Sequence, residues 1–314
     1  MIKRFQNQVA ESRFTLHVAA LYAIGIWLLC GLLHQHWWVQ FVCLALSTLM
    51  MVLFNNSNAL IRVYSRSVSA FFLILSCMAC FLFPSMEGGI AQLCFSASLL
   101  MLYRTYQDNT SVGTVFYTYL FIGLGSLVNI QILWFVPILW IIQAGFVFSL
   151  GFRTFFASLL GLILPYWFLA AWTLFKNGSD FSPFVDHFTP LVTFQFPHDY
   201  HTIPWSHLLT FALLVILAFT GIIHFLRTSY QDKIRVRQIY YSLFFLNIVA
   251  MVFGILQPQH YDLVLRLMII TTSPLIAHFV TLTRTRITNI AFYVILATIF
   301  LLTVFNVWIS SYIF

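Results

Sequence analysis

Charge is nearly absent from this sequence. Its 314 residues include only eight Asp and Glu and fifteen Lys and Arg, 7% in all. A soluble domain carries about 25% charged residues, so a water-facing surface of this size cannot be built and no separate soluble domain is expected. Cysteine is also sparse. The five cysteines (Cys30, Cys43, Cys77, Cys80, Cys94) all fall inside apolar runs, which argues against a disulfide framework. Cys77-x-x-Cys80 reads as buried packing, because redox or metal chemistry needs access to water and a basic neighbour. Acids are missing from the interiors of the apolar runs. That counts against the mid-membrane carboxylates of proton- and ion-coupled transporters. The polar side chains left in or near those interiors include His224, His278 and Asn247. No cofactor motif stands out, and no cofactor is expected.

Apolar sequence fills the chain instead. Hydrophobic residues make up 61%, Phe alone contributes 35, and the mean hydropathy is +0.93. A membrane span needs about 20 apolar residues. Eleven runs qualify as candidates: 15–33, 39–54, 68–84, 88–102, 114–128, 131–150, 154–175, 205–226, 239–256, 263–283 and 288–312. The expected fold is an all-α polytopic transmembrane bundle of about eleven spans, a single integral membrane domain over 1–314. The run 15–33 is long for a signal-peptide core and ends without a small-residue cleavage site, so it reads as a retained first span. Residues 114–150 fit either two spans or a re-entrant hairpin, since both return the chain to the same side. Pro137, Pro165 and Pro274 fall inside spans and are expected to kink them. Ala157 and Gly161 form a small-xxx-small pair that invites a close helix neighbour.

The basic residues orient the chain. With the N-terminus in the cytoplasm and the C-terminus in the periplasm, thirteen of the fifteen Lys and Arg lie in cytoplasmic segments, as the positive-inside rule requires. The location expected is a bacterial inner membrane. The net charge of +7 then reflects anchoring at an anionic lipid surface rather than nucleic acid. Membrane lipids are the expected partners, with other envelope membrane proteins next. The basic stretch from Arg227 to Arg237 and the segment from Asn55 to Arg66 read as lipid-contacting.

That orientation puts the one long loop, 176–204, on the outer face, where Trp205 reopens the membrane run. Alternating Phe and polar residues suggest that part of it lies along the interface. His187, His198 and His201, with Asp186 or Asp199, are weak metal-ligand candidates: zinc needs three or four converging ligands, and no second pair completes the set. Asp262 and Arg266, four residues apart, share a helix face and can pair. Arg266 within a span is a candidate for binding an anionic group such as a phosphate or carboxylate. Glu87, Asp186, His187 and Asp262 are the catalytic candidates, all on the outer side.

Several stretches carry a resemblance. Tyr103-Arg-Thr-Tyr-Gln-Asp108 leads into Phe121-Ile-Gly-Leu-Gly-Ser126. Phe135-Val-Pro137, Arg153-Thr-Phe-Phe-Ala157 and Gly161-Leu-Ile-Leu-Pro165-Tyr166 follow. The middle third resembles an uncharacterised family of multi-spanning inner-membrane proteins of Bacteroidota. The resemblance implies a shared fold and an envelope location, and it carries over no catalytic residue. Two functions follow from the residues. One is a non-enzymatic protein, accessory or transporter-like. The other is an outer-face enzyme acting on a lipid-linked sugar of the polyprenyl-phosphate type. Such enzymes commonly place an acid in the first outer loop, where this chain has His34-Gln-His36-Trp37-Trp38.

Overall fold

A backbone in lipid must satisfy its own hydrogen bonds, which leaves helices as the economical solution for apolar runs of this length. The computed structural model describes residues 4–177, 182–192 and 203–313, with no strand among them. Fourteen α-helices occur among those residues. They are α1 (Phe5–Glu11), α2 (Thr15–Leu29), α3 (Trp38–Asn58), α4 (Ser67–Met78), α5 (Met86–Leu102), α6 (Val112–Val128) and α7 (Val136–Ile142). There follow α8 (Phe152–Asn177), α9 (Ser182–Asp186), α10 (Thr189–Val192), α11 (Trp205–Thr228), α12 (Ile234–Leu256), α13 (Tyr261–Leu282) and α14 (Arg286–Ile313).

Each of the eleven apolar runs coincides with helix, but not each helix is long enough to be a span on its own. Among the described residues, eight helices are long and apolar enough to cross a membrane. A ninth is added if α1 and α2, which meet at 89°, count as one. The apolar helices α4 and α6 have 12 and 17 residues and fall short in length. The difference from the eleven expected lies in these breaks. A short 3-10 turn, Cys80–Leu82, continues α4, and Asn129 interrupts the helix after α6.

The chain runs back and forth between two ends. At one end, which carries most of the arginines, Ser65 Oγ donates to the Ala10 carbonyl (2.7 Å) and Gln107 N–H to the Val147 carbonyl (2.8 Å). At the opposite end, Gln40 Nε2 donates to the Pro84 carbonyl (3.2 Å) and Trp134 Nε1 to the Leu191 carbonyl (3.2 Å). The Gln107 bond returns 112–147 to its starting end. That segment is α6, a 3-10 stretch (Ile130–Phe135), α7 and a π-helical turn (Gln143–Val147).

Helix α13 is the axis. The whole apolar window of its span is buried, packed by α4, α5, α11 and α12. The outlying helices carry the exposed apolar surface. Phe152 and Phe175 are 80% and 86% exposed, as suits a lipid-facing wall.

Small residues set the closest approaches. A Cβ on Gly161 would stand 2.3 Å from the Phe116 carbonyl oxygen, so the expected neighbour of that small-residue pair is α6. Gly221 of α11 lies against the Leu275 backbone of α13 in the same way. Pro165 and Pro274 sit inside α8 and α13 as expected. Pro137 does not. It occupies the first turn of α7, where a missing N–H is harmless. Cys77 and Cys80 are buried and unbridged.

Candidate functional site

Two charged clusters flank α13, one at each end of the bundle. The first is the pair read from sequence. Asp262 falls in the first turn of α13 and Arg266 one turn later, so both project from one face. Arg266 Nε donates to Asp262 Oδ1 at 2.8 Å, Nη1 to Gln92 Oε1 of α5 at 2.9 Å, and Nη2 to the Leu82 carbonyl. Arg266 is 6% exposed. The Asp262 side chain is 38% exposed. Gly88 is required here, because a Cβ would stand 2.5 Å from Arg266 Nε and 2.7 Å from Asp262 Oδ2. The niche beside the guanidinium, lined by Gln40, Ser76, Gly89 and Gln92 among others, measures about 20 Å³. That is roughly room for one water. Three acceptors around Arg266 and so small a niche make it an interhelical clamp in this conformation, without space for a phosphate.

The other residues singled out from sequence do not converge on this clamp. Glu87 is exposed in the first turn of α5. Asp186 is exposed at the end of α9. His187 is half-buried, with Nε2 3.2 Å from the Ser126 carbonyl and its ring 6.1 Å from that of Tyr166. His198 and His201 lie outside the described residues. Among the described residues, no group of three or more His, Cys, Asp or Glu is placed to hold a metal.

The second cluster, at the arginine-rich end, is assembled from residues read as a lipid-facing stretch. Asp232 follows a 3-10 turn (Ser229–Gln231) in the short connection from α11 to α12. Its side chain is fully buried. One carboxylate oxygen forms an ion pair with Arg62, 2.8 Å from its Nε but without hydrogen-bond alignment, and the other lies 3.1 Å from His278 Nε2 of α13, also fully buried. Arg62 Nη1 donates in turn to Gln231 Oε1 at 2.7 Å. The His224 ring of α11 lies 5.4 Å from that of His278, and the Tyr240 ring of α12 lies 4.8 Å from it. Beside it, Arg235 Nη2 donates to Asn58 Oδ1 and the Tyr103 carbonyl, and its guanidinium sits 5.7 Å from the Tyr106 ring centroid. Arg62 and Arg235 thus have protein partners.

A polar seam continues from this cluster between α12 and α13. Tyr240 Oη donates toward the Pro274 carbonyl at 3.5 Å, and Asn247 Nδ2 reaches Thr271 Oγ1 at 2.7 Å and Thr272 Oγ1 at 2.9 Å. Along the seam His278 Nδ1, His224 Nε2 and Asn247 Oδ1 have no protein partner among the described residues. Buried polar atoms of this kind are normally satisfied by bound water. The sequence does carry a signal for Asp232: it is the lone acid among Arg227, Lys233, Arg235 and Arg237. That His278 faces it follows only from the tertiary packing.

The geometry at the two ends therefore differs in kind. The first cluster pins helices with a permanently charged Arg. The second joins α11, α12 and α13 to the connections that carry Asp232 and Arg62, around a fully buried carboxylate and imidazole. No protein-family model, no curated protein and no solved structure matches this chain.

Proposed function

We propose that the chain is a non-enzymatic protein of a bacterial inner membrane, accessory or transporter-like, with the buried Asp232–His278 contact and its Arg62 partner as the junction on which its conformation turns. It crosses eleven times, with the N-terminus cytoplasmic and the C-terminus periplasmic. Its relatives are the inner-membrane proteins of Bacteroidota that its middle third resembles.

The observation that carries the reading is the fully buried Asp232–His278 contact at 3.1 Å, with Arg62 on the same carboxylate. A buried ion pair is an expensive way to stabilise a fold, and its best-attested use is as a switch or register device. Here it links the α11–α12 connection to the buried axis helix, and the seam toward Asn247 extends it into the bundle. The topology rests on the arginine-rich end. Arg4, Arg62, Arg235 and Arg284 all belong to contacts there. The count of eleven requires the short apolar helices α4 and α6, of 12 and 17 residues, to cross as well.

The outer-face enzyme needs Glu87, Asp186, His187 or Asp262 to line one outer-facing cavity with Arg266. Asp262 meets Arg266, whereas His187 is engaged with Ser126 and Tyr166. That distribution supports the non-enzymatic reading instead.

Hydrogen exchange on the full chain in nanodiscs tests the proposal. The α11–α12 connection should be protected in the wild type, and H278Q or D232N should open it together with the facing turn of α13. Protection unchanged in both variants would overturn the junction, and a stoichiometric partner recovered in mild detergent would favour the accessory role. Cysteine labelling from each side of the membrane checks the topology separately.

A further inference from the structure

A third feature lies apart from both clusters. It is an apolar groove of about 630 Å³ between α1, α2, α4 and α14, lined by Val9, Phe14, Val18, Phe71, Phe292 and Phe300 among others. We propose that this groove binds one acyl chain of an anionic phospholipid, drawn from the membrane leaflet at the arginine-rich end.

Depth argues for a lipid chain. The lining runs from Thr15 to Tyr22 along α2 and from Phe292 to Phe300 along α14. At a 1.5 Å rise per residue these stretches are about 10 and 12 Å long. One leaflet of a roughly 30 Å hydrocarbon core is about 15 Å deep. The groove therefore begins at the interface and ends near the bilayer midplane, as a single leaflet's chain requires.

The groove is also built rather than left over. Its floor is α1, which lies at 89° to α2, the posture of an interfacial helix. α1 is fastened there by Gln6, a fully buried side chain whose Nε2 donates to the Val280 carbonyl (2.5 Å) and to Thr283 Oγ1 (2.7 Å). Asn7 Nδ2 adds a bond to the Thr283 carbonyl at 3.0 Å. These bonds hold the helix against the bundle while leaving the apolar space above it open.

Charge selects the head group. Arg13 stands between the lining residues Ser12 and Phe14 and is exposed. Arg286 opens α14 and is exposed as well. Arg284 is 71% exposed at its side chain, with Glu11 3.9 Å away, and Arg4 donates to the Arg284 carbonyl. Four arginines and one glutamate around the mouth of an apolar groove complement a phosphodiester head group. Juxtamembrane arginines attract anionic lipid in this way.

Native mass spectrometry on the full chain, released from vesicles of phosphatidylethanolamine with phosphatidylglycerol as the minor component, reads the occupant directly. One phosphatidylglycerol should be retained per chain, in excess of its share of the vesicle. R13Q/R286Q should weaken that retention by about thirtyfold. V18W, which fills the groove from an exposed position, should abolish it. I24W, which adds the same ring to α2 outside the lining, should leave it unchanged and controls for folding. Retention of both lipids in proportion to the vesicle, or retention that survives V18W, would overturn the proposal. So would a dimer that V18W dissociates, because a second copy would then be the occupant.

Discussion

His278 Nε2 lies 3.1 Å from Asp232 Oδ2 with both side chains at zero exposure, and the other oxygen of that carboxylate takes Arg62. The three groups are not equivalent. Asp232 is the shared partner. Removing it leaves a cation and an imidazole facing each other at the end of the bundle, whereas removing either of the others leaves one contact standing. Breaking a buried pair by deleting one partner costs about 3–5 kcal/mol. D232A is therefore expected to destabilise by about 3 kcal/mol or more, with H278A next. R62A is expected to cost least, because its side chain is 34% exposed and water replaces part of the interaction. Thermal or SDS unfolding of the three variants gives the order. A larger loss in R62A than in D232A would contradict the arrangement.

Asp108 offers a pH measurement outside the membrane-spanning helices. Its carboxylate accepts from Thr110 N–H (2.9 Å), Thr110 Oγ1 (2.7 Å) and Ser111 Oγ (2.7 Å) in the turn that leads into α6. The Ser111 and Thr110 hydroxyls first, then the Thr110 amide, hold its pKa at about 2, below the ordinary 3.8. A carboxylate shifted downward contributes its full share above the ordinary value and loses it as the pH falls through about 2. The turn should therefore be insensitive to pH from neutrality down to about 5 and loosen only in strong acid. A carboxyl NMR titration of the full chain in micelles should give a midpoint near 2. D108N should raise amide exchange at Val112 and Gly113 from neutrality down to about pH 5, and the difference should shrink in strong acid.

Much of the helical architecture can be read from hydropathy, because a run of about 20 apolar residues has few alternatives to a helix. The Asp262–Arg266 pair is legible for a similar reason: residues four apart on a helix are neighbours. What lies beyond local spacing is not. Asp232 looks like a solvated loop acid until α13 brings His278 to it. Gln6 looks like a polar residue in a basic tail until Val280 and Thr283 receive it. Pro137 is legible as a helix breaker but not as a first-turn residue, because that depends on where Asn129 interrupts the backbone after α6.

Gly88 and Gly25 make a matched pair. Both lie in helices, and Ala in a helix is favoured over Gly by about 1 kcal/mol. At Gly25 nothing lies within 4 Å of an added Cβ, whereas at Gly88 the Arg266 and Asp262 side chains do, at 2.5 and 2.7 Å. Arg266 is held by three acceptors and cannot swing away without leaving the Leu82 carbonyl and Gln92 unpaired. G25A is expected to be neutral or slightly stabilising. G88A is expected to lose about 1–3 kcal/mol, the usual range for overpacking. Unfolding curves of the two variants decide it, and equal stabilities would mean that Arg266 is not fixed by the clamp.

Gly161 carries the tightest helix contact, and its prediction differs because the obstacle is backbone. A Cβ there would stand 2.3 Å from the Phe116 carbonyl oxygen and 3.1 Å from Leu120 N–H nitrogen, so no rotamer change relieves it. The only response is for α6 and α8 to separate. Gly123 lies on the same seam, with an added Cβ 2.8 Å from the Leu162 carbonyl oxygen. Separation would also stretch the bond between Ser126 Oγ and Tyr166 Oη, now 2.6 Å. Without a strong hydrophobic force between helices in lipid, close backbone packing and such polar contacts are what hold the pair. G161A is therefore expected to cost about 3 kcal/mol, at the top of the overpacking range, and G161L to release α8 from α6 altogether. Cysteine cross-linking across the α6–α8 seam should proceed in the wild type and fail in G161L. Undiminished cross-linking in G161L would show that the seam does not depend on the glycine.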